Sequence, residues 1–267
     1  MLQQKLIIQT IMKTRFLILT LLFFFAGNVC FAQKYDNKAA NLKGKKVLLF
    51  TKNGEGYVHD NIPASIEMFF KLSASEGFQL DTTTNSGIFA LKDLQKYHAV
   101  VFSNTNDEVF DTQEERDGFV SYIRSGKGFV GIHSAGGTER NWAWYKQLVG
   151  GTFDFHPPLQ KFQVKVVDAS HPSTKDQPTV RTVNDELYFM TEINPTVRIL
   201  MVSDFSSPDY KSDKPMPTTF GKLFPCVWCN DFDGGRQWFS ALGHAPADYS
   251  DPNYVAHILG GLKWVIK

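Results

Sequence analysis

GFVGIHSAGG, residues 128–137, decides the fold of this 267-residue chain. Its first half is a short apolar run suited to a strand buried on both faces, and its second half is a turn of small residues. A strand that breaks at once into such a turn is the elbow on which many α/β enzymes mount a nucleophile. Here the apex is His133. An imidazole at that place offers a general acid/base or a metal ligand, where a nucleophile would need a thiol or hydroxyl. Ser134 does not supply one through the usual motif, because GIHSAG departs from G-x-S-x-G at Ile132.

The pattern around the elbow is an alternation of strand and helix. Residues 45–51 (KKVLLFT) form an apolar run that ends in the turn NGEGY. Asp60 or Asn61 then caps a helix with apolar positions Ile62, Ile66, Phe69 and Phe70 that stops near Gly77. Strands follow at 79–84 and 98–104, and Thr112 with Glu115 makes a capping box for a helix that ends at Gly126. Short βα alternation of this kind predicts a doubly wound, mostly parallel sheet. After Gly151 the texture becomes β-rich, at 162–168, 187–190, 198–202 and 236–242, as expected of a sheet extension with an antiparallel insertion. A last helix over 252–266 has Asp251 as its cap and Pro252 in its first turn.

The chain opens on a different texture. Residues 1–32 hold no acidic side chain, and Lys13 and Arg15 precede an apolar run, 16–26, too short to span a bilayer as a helix. Cys30-Phe31-Ala32 closes the segment, so it is expected to be a secretory signal peptide cleaved after Ala32, with Met12 as an alternative start. The expected product is periplasmic or secreted, without a stable membrane span. Val29 is larger than lipoprotein processing at Cys30 wants. Residues 33–44 are a polar linker, and 45–267 are expected to be one domain. Cleavage removes Lys5, Lys13 and Arg15 from 28 basic residues, leaving 25 against 27 acidic ones. That balance argues against nucleic acid as a partner. Cys226 and Cys229 in PCVWC would face opposite sides of a strand, which favours packed thiols over a redox pair.

In an open parallel sheet, ligands bind at the carboxyl ends of the strands. His59 and Tyr57 follow the first strand, Asn104, Asn106, Asp107 and Glu108 the third, and His133 and Ser134 the fourth. Later candidates are His156 in DFHPP, Glu186 and Tyr188 in DELY, Trp228, Arg236 and His244. His133, His59, Glu186 and His244 are the expected catalytic groups. Asn104, Glu108, Tyr188, Trp228 and Arg236 are expected to hold substrate. His59, His133 and His156 form a possible zinc or iron site, although none stands at a metal-motif spacing such as H-E-x-x-H. His171 and His98 read as turn and packing residues.

Taken in order, His59-Asp60, GFVGIH (128–133), WYKQLVGGTFDFHP (144–157), His171-Pro172, DELY (185–188), PCVW (225–228), GGRQWFSALGH (234–244) and LKW (262–264) resemble the ThuA-like family, named for a trehalose utilisation protein. The resemblance covers about residues 45–267. It implies a class I glutamine amidotransferase-like, flavodoxin-like α/β fold and a link to disaccharides and their 3-keto derivatives. The elbow departs from true glutamine amidotransferases, whose nucleophile is a cysteine, so thiol-based glutamine hydrolysis is not expected. The resemblance, together with the histidines at the sheet edge, implies a sugar-active hydrolase, lyase or isomerase using histidine acid/base or metal-assisted chemistry on a small carbohydrate ligand, with no nucleotide cofactor expected. The alternative is a non-catalytic carbohydrate-binding or accessory protein.

Overall fold

The computed structural model describes residues 36–206 and 211–267, and in it the elbow closes the fourth strand of a doubly wound sheet. The chain runs β1 (Lys46–Phe50), α1 (Ile62–Glu76), β2 (Gln79–Thr83), β3 (Ala99–Ser103), α2 (Gln113–Arg124) and β4 (Gly128–Ile132). It continues through α3 (Ala143–Val149), β5 (Thr152–Phe155), β6 (Gln160–Val166), β7 (Val180–Asp185), β8 (Phe189–Thr191), β9 (Arg198–Asp204), β10 (Leu223–Phe232), β11 (Gly235–Ser240) and α4 (Pro252–Val265). The signal peptide read in residues 1–32 lies outside the described residues.

One nine-stranded sheet has the order β2-β1-β3-β4-β11-β10-β9-β6-β7. β2, β1, β3, β4 and β11 pair in parallel, and β10, β9, β6 and β7 extend the sheet by antiparallel pairs. The first five reproduce the flavodoxin strand order, with β11 recruited from late in the chain as the fifth strand. The antiparallel half is the expected extension, and a separate two-stranded piece, β5 with β8, stands beside it. β5 and β7 were not expected: β7 alternates exposed and half-buried residues at the sheet edge, and β5 is four residues long. Neither offers the continuous apolar run by which β1, β3 and β4 are recognised.

The helix signals hold with local changes. Gly77 ends α1 in the left-handed conformation, its N–H donating to Ser73 O. Asn61, expected as a possible cap, has helical backbone angles and makes no capping bond. The buried stripe of α1 is Ser65, Met68, Phe69 and Leu72, and Phe70 points outward at 50 % exposure. At α2, Thr112 accepts the N–H of Glu115, while Glu115 Oε2 accepts from Asp111 N–H, one residue outside the expected box. Asp251 caps α4 by accepting the N–H of Tyr254, with Pro252 in the first turn. α4 packs on β4 and β11, and a Cβ on Gly128 would stand 2.8 Å from Val265 Cγ2, so this contact needs a glycine strand start.

Among the described residues of the expected linker, Leu42 is fully buried and Ala40 N–H donates to Lys263 O. Cys226 and Cys229 are buried free thiols on β10, and burial pushes both up to about 12. Both are thus inert at neutral pH. No helix among the described residues is long and apolar enough to cross a membrane.

Candidate functional site

The parallel strands aim their carboxyl ends at one edge, and four residues there hold positive φ without being glycine: Asn104 (53°) after β3, Asp107 (61°) beyond it, His133 (53°) after β4, and Glu139 (48°) beyond the elbow, its N–H donating to Asp107 O. Such angles are unfavourable for residues with a Cβ and persist only where surrounding bonds fix them. His133 opens a 3₁₀ turn, His133–Gly137, every residue of which is buried. Its Nδ1–H donates to Ala241 O at 2.8 Å, just past the end of the neighbouring β11. A carbonyl can only accept, so Nδ1 carries a proton and Nε2 is the ring nitrogen turned toward the other groups of the site.

Three more groups meet that nitrogen. His59 Nε2, from the loop after β1, stands 3.2 Å away, the Tyr188 hydroxyl 3.0 Å and Glu186 Oε2 3.4 Å. His244, beyond β11, brings Nδ1 to 3.2 Å from the same Glu186 oxygen. Ser134 Oγ lies 3.3 Å from His59 Nδ1. The donor atoms of His59, His133, Glu186 and His244 all lie within 4.8 Å of one another, a spacing at which side chains can share one ion. His59, Glu186 and His244, with His133 buried directly beneath them, form the floor of a cavity of about 620 Å³, walled by Gly56, Tyr57, Asn106, Asp107, Arg140 and Phe153.

Two polar anchors hold this floor. Asp185 is fully buried and accepts three backbone N–H groups, from Gly243 (2.8 Å), His244 (3.1 Å) and Glu186 (2.8 Å). Asn61 Nδ2 reaches Asn104 Oδ1, Gly243 O and His244 O at 2.8–3.0 Å, which ties the start of α1 to the ends of β3 and β11. This explains why Asn61 does not cap its helix. Gly243 has φ 113°, and a Cβ there would fall 1.9 Å from the Tyr254 hydroxyl.

Electrostatics follow from burial and from one carboxylate among several imidazoles. Burial, with His133 and His244 beside it, lowers His59 to about 3. Close contact with the Glu186 carboxylate raises His244. Burial alone would raise the Glu186 carboxyl, but its contacts with His133 and His244 outweigh that and hold it well below the usual carboxylate range. Glu186 is thus an anion at neutral pH, and His59 is neutral.

The sequence candidates divide. His59, His133, Glu186, His244 and Tyr188 come together. His156 stands at the rim, its Nε2 3.5 Å from Glu186 Oε1, outside the cluster that joins His244 and Glu186 to His59 and His133. Trp228 is buried in the core, its indole N–H donating to Val149 O. Arg236 pairs across from Gly128 at the amino-terminal edge of the sheet and donates to Trp264 O, away from the cavity. Asn104 is buried behind the floor, bonded to Asn61 and the Tyr249 hydroxyl, and the half-exposed Glu108 accepts from Arg116. Conversely, Arg140 and Phe153 line the cavity unannounced. Arg140 Nε donates to Gly137 O and Nη2 to Asn106 Oδ1, and its guanidinium lies 5.5 Å from the Phe153 ring centre. Only the GG before it hinted at this fold-back: a Cβ on Gly137 would stand 2.9 Å from Arg140 Nη2. His171 is buried against Trp264, and His98 Nδ1 accepts from Lys46 N–H, both packing roles as expected.

Comparison with known proteins agrees with this architecture. The family model described as "ThuA: Trehalose utilisation" matches residues 46–265. A ThuA-like protein from Bacteroides uniformis is similar in structure, with a TM-score of 0.70 at 25 % identity over 87 % of this chain and 95 % of that one. A ThuA-like protein from Parabacteroides merdae gives 0.68 at 20 % identity, covering 84 % and 91 %. A cytoplasmic protein from Salmonella typhimurium shares the fold at 0.58 and 11 % identity, covering 83 % and 99 %. No curated protein matches the sequence.

Proposed function

This chain belongs to the ThuA (trehalose utilisation) family, and from that premise we propose that it is an exported enzyme acting on a small carbohydrate in the cavity above His133. The observation that carries this reading is the convergence of His59, His133, His244 and Glu186 on one floor. Burying four ionisable groups so close together is expensive, because each loses hydration. A wall that merely binds hydroxyls does not need them, whereas reactions at sugar carbons do. Above the floor, Arg140, Asn106 and Asp107 offer hydrogen bonds to hydroxyl groups, and Phe153 and Tyr57 offer aromatic faces for a sugar ring. Export is supported by the basic, apolar and small-residue pattern of residues 1–32.

The reaction this geometry suits best is proton transfer beside the carbonyl of a keto-sugar. A basic group takes the proton from the carbon next to the carbonyl, and the C–H electron pair passes into the carbonyl as its oxygen becomes an enolate. A donor at the floor stabilises that oxygen, and a proton returns at the end of the cycle. Glutamine hydrolysis has no thiol here to carry it.

The test is turnover of a panel of keto-disaccharides and simple glycosides by the wild-type chain, His133→Ala and Glu186→Gln. Turnover by wild type and its loss in both variants are expected. Full activity in both would overturn the assignment of the floor. Thermal stabilisation by a sugar with no product over long incubation would make the protein a binder instead.

A further inference from the structure

We propose that His59, His133, His244 and Glu186 hold one divalent first-row transition-metal ion, with an open side facing the cavity. The inference deepens the sugar-active reading, whose reacting floor it takes over, and it assigns these four groups as ligands rather than proton carriers.

Three observations carry it. First, with Ala241 O fixing the Nδ1 proton of His133, its Nε2 faces His59 Nε2 at 3.2 Å. When His59 donates its own Nδ1–H to Ser134 Oγ and each ring carries one proton, two nitrogen lone pairs and the Glu186 carboxylate point at one another. Such an arrangement asks for a positive charge at its centre. Second, three of the six donor pairs stand at ligand spacing, and all four donor atoms lie within 4.8 Å of one another. Two donors bound at ~2.0–2.1 Å in a tetrahedron are about 3.3 Å apart. The His59–His133, His133–Glu186 and His244–Glu186 separations are 3.2, 3.4 and 3.2 Å. Third, His244 Nδ1 is buried and makes no well-formed hydrogen bond, only the contact with Glu186.

The supporting groups also fit. Metal-bound imidazoles usually donate their other N–H to an oxygen, and Ala241 O and Ser134 Oγ stand where His133 and His59 need one. Asp185 fixes the backbone of both Glu186 and His244, so two ligands share one anchor. Three imidazoles and one carboxylate suit Zn²⁺, Fe²⁺ or Co²⁺, rather than Mg²⁺ or Ca²⁺, which favour oxygen. The cavity side of the cluster, beside the Tyr188 hydroxyl, is where oxygens of a bound sugar would approach such an ion.

The experiment is direct titration of chelator-stripped full-length protein with Co²⁺, read by visible d–d absorption, and with Zn²⁺, read by calorimetry. One ion per chain is expected in each case. Glu186→Gln and His244→Ala should weaken binding more than about 100-fold, since each removes a ligand. His156→Ala should bind as wild type does. No uptake by wild type, or equal uptake by the two ligand variants whose circular dichroism matches wild type, overturns the proposal. Sugar turnover by the stripped protein without any metal uptake would remove the metal and leave the sugar-active reading standing. One ion per chain without turnover would do the reverse.

Discussion

Replacing Asp185 by Asn keeps shape and volume but exchanges one acceptor oxygen for a donor. The side chain accepts three backbone N–H groups, Gly243 on Oδ2 and His244 and Glu186 on Oδ1. Asparagine is best placed with its oxygen toward His244 and Glu186, which leaves its NH₂ against the Gly243 N–H. One charge-assisted bond is lost and a buried donor is left unpaired, together worth about 3–5 kcal/mol. Against this, the variant removes a buried charge that burial already disfavours, which offsets part of the loss. The net loss is therefore smaller than that sum, about 1–4 kcal/mol. Urea unfolding at pH 7.5 measures it, with the exposed Asp154→Asn as a control expected to match wild type. Because the lost bonds hold the backbone beside two floor residues, turnover should fall with stability. A loss below about 1 kcal/mol would refute the claim that Asp185 pins the 243–244 turn to the DELY segment.

Two further outcomes follow from the same geometry. Gly243→Ala places a Cβ 1.9 Å from the Tyr254 hydroxyl at φ 113°, so a fall of about 2–4 kcal/mol in unfolding free energy is expected; an unchanged urea midpoint would contradict it. His171 and His257 are kept neutral by burial, which lowers both from 6.5 to about 3. The unfolded chain takes up these protons as pH falls below 6.5 and the native state does not. Stability is thus complete above 6.5 and declines toward 3, by about 2 kcal/mol for each histidine at pH 5. Urea midpoints at pH 7.5 and 5.0 should show this loss, and His257→Gln should reduce it; equal midpoints would rule it out.

How much of this was legible in the sequence depends on what each signal reports. β1, β3 and β4 are buried on both faces, so their apolar runs announced them, and Gly77, Thr112 and Asp251 marked helix ends through local backbone chemistry. The recruitment of β11 beside β4 was not legible. It pairs residues about a hundred positions apart, and no local pattern encodes that choice. Arg236 and Trp228 were misplaced for the same reason. Their residue types suit a sugar site, but the direction of β11 sends Arg236 to the far edge, and β10 turns Trp228 into the core. His244, by contrast, was predictable in kind once β11 was known to be parallel, because it follows that strand's carboxyl end.

The elbow itself shows why the site could be located more easily than its chemistry. A histidine at φ 53° carries strain of about 1–3 kcal/mol, and the neighbouring non-glycine residues at positive φ, Asn104, Asp107 and Glu139, add more at the same edge. Nothing in a strand-to-turn sequence reveals what holds such a conformation. In the fold the holding groups are distant. Ala241 O takes the His133 proton, Asn61 binds Asn104 and the 243–244 carbonyls, and Asp185 binds the amides beside them. These bonds all run through the turn after β11, the strand that no local pattern could place. The same turn delivers His244 to Glu186, so the support that stabilises the strained elbow also assembles the floor. A perturbation of residues 243–244 should therefore disturb His133 geometry, stability and ligand binding together, whereas a change at rim residues such as His156 should leave the first two intact.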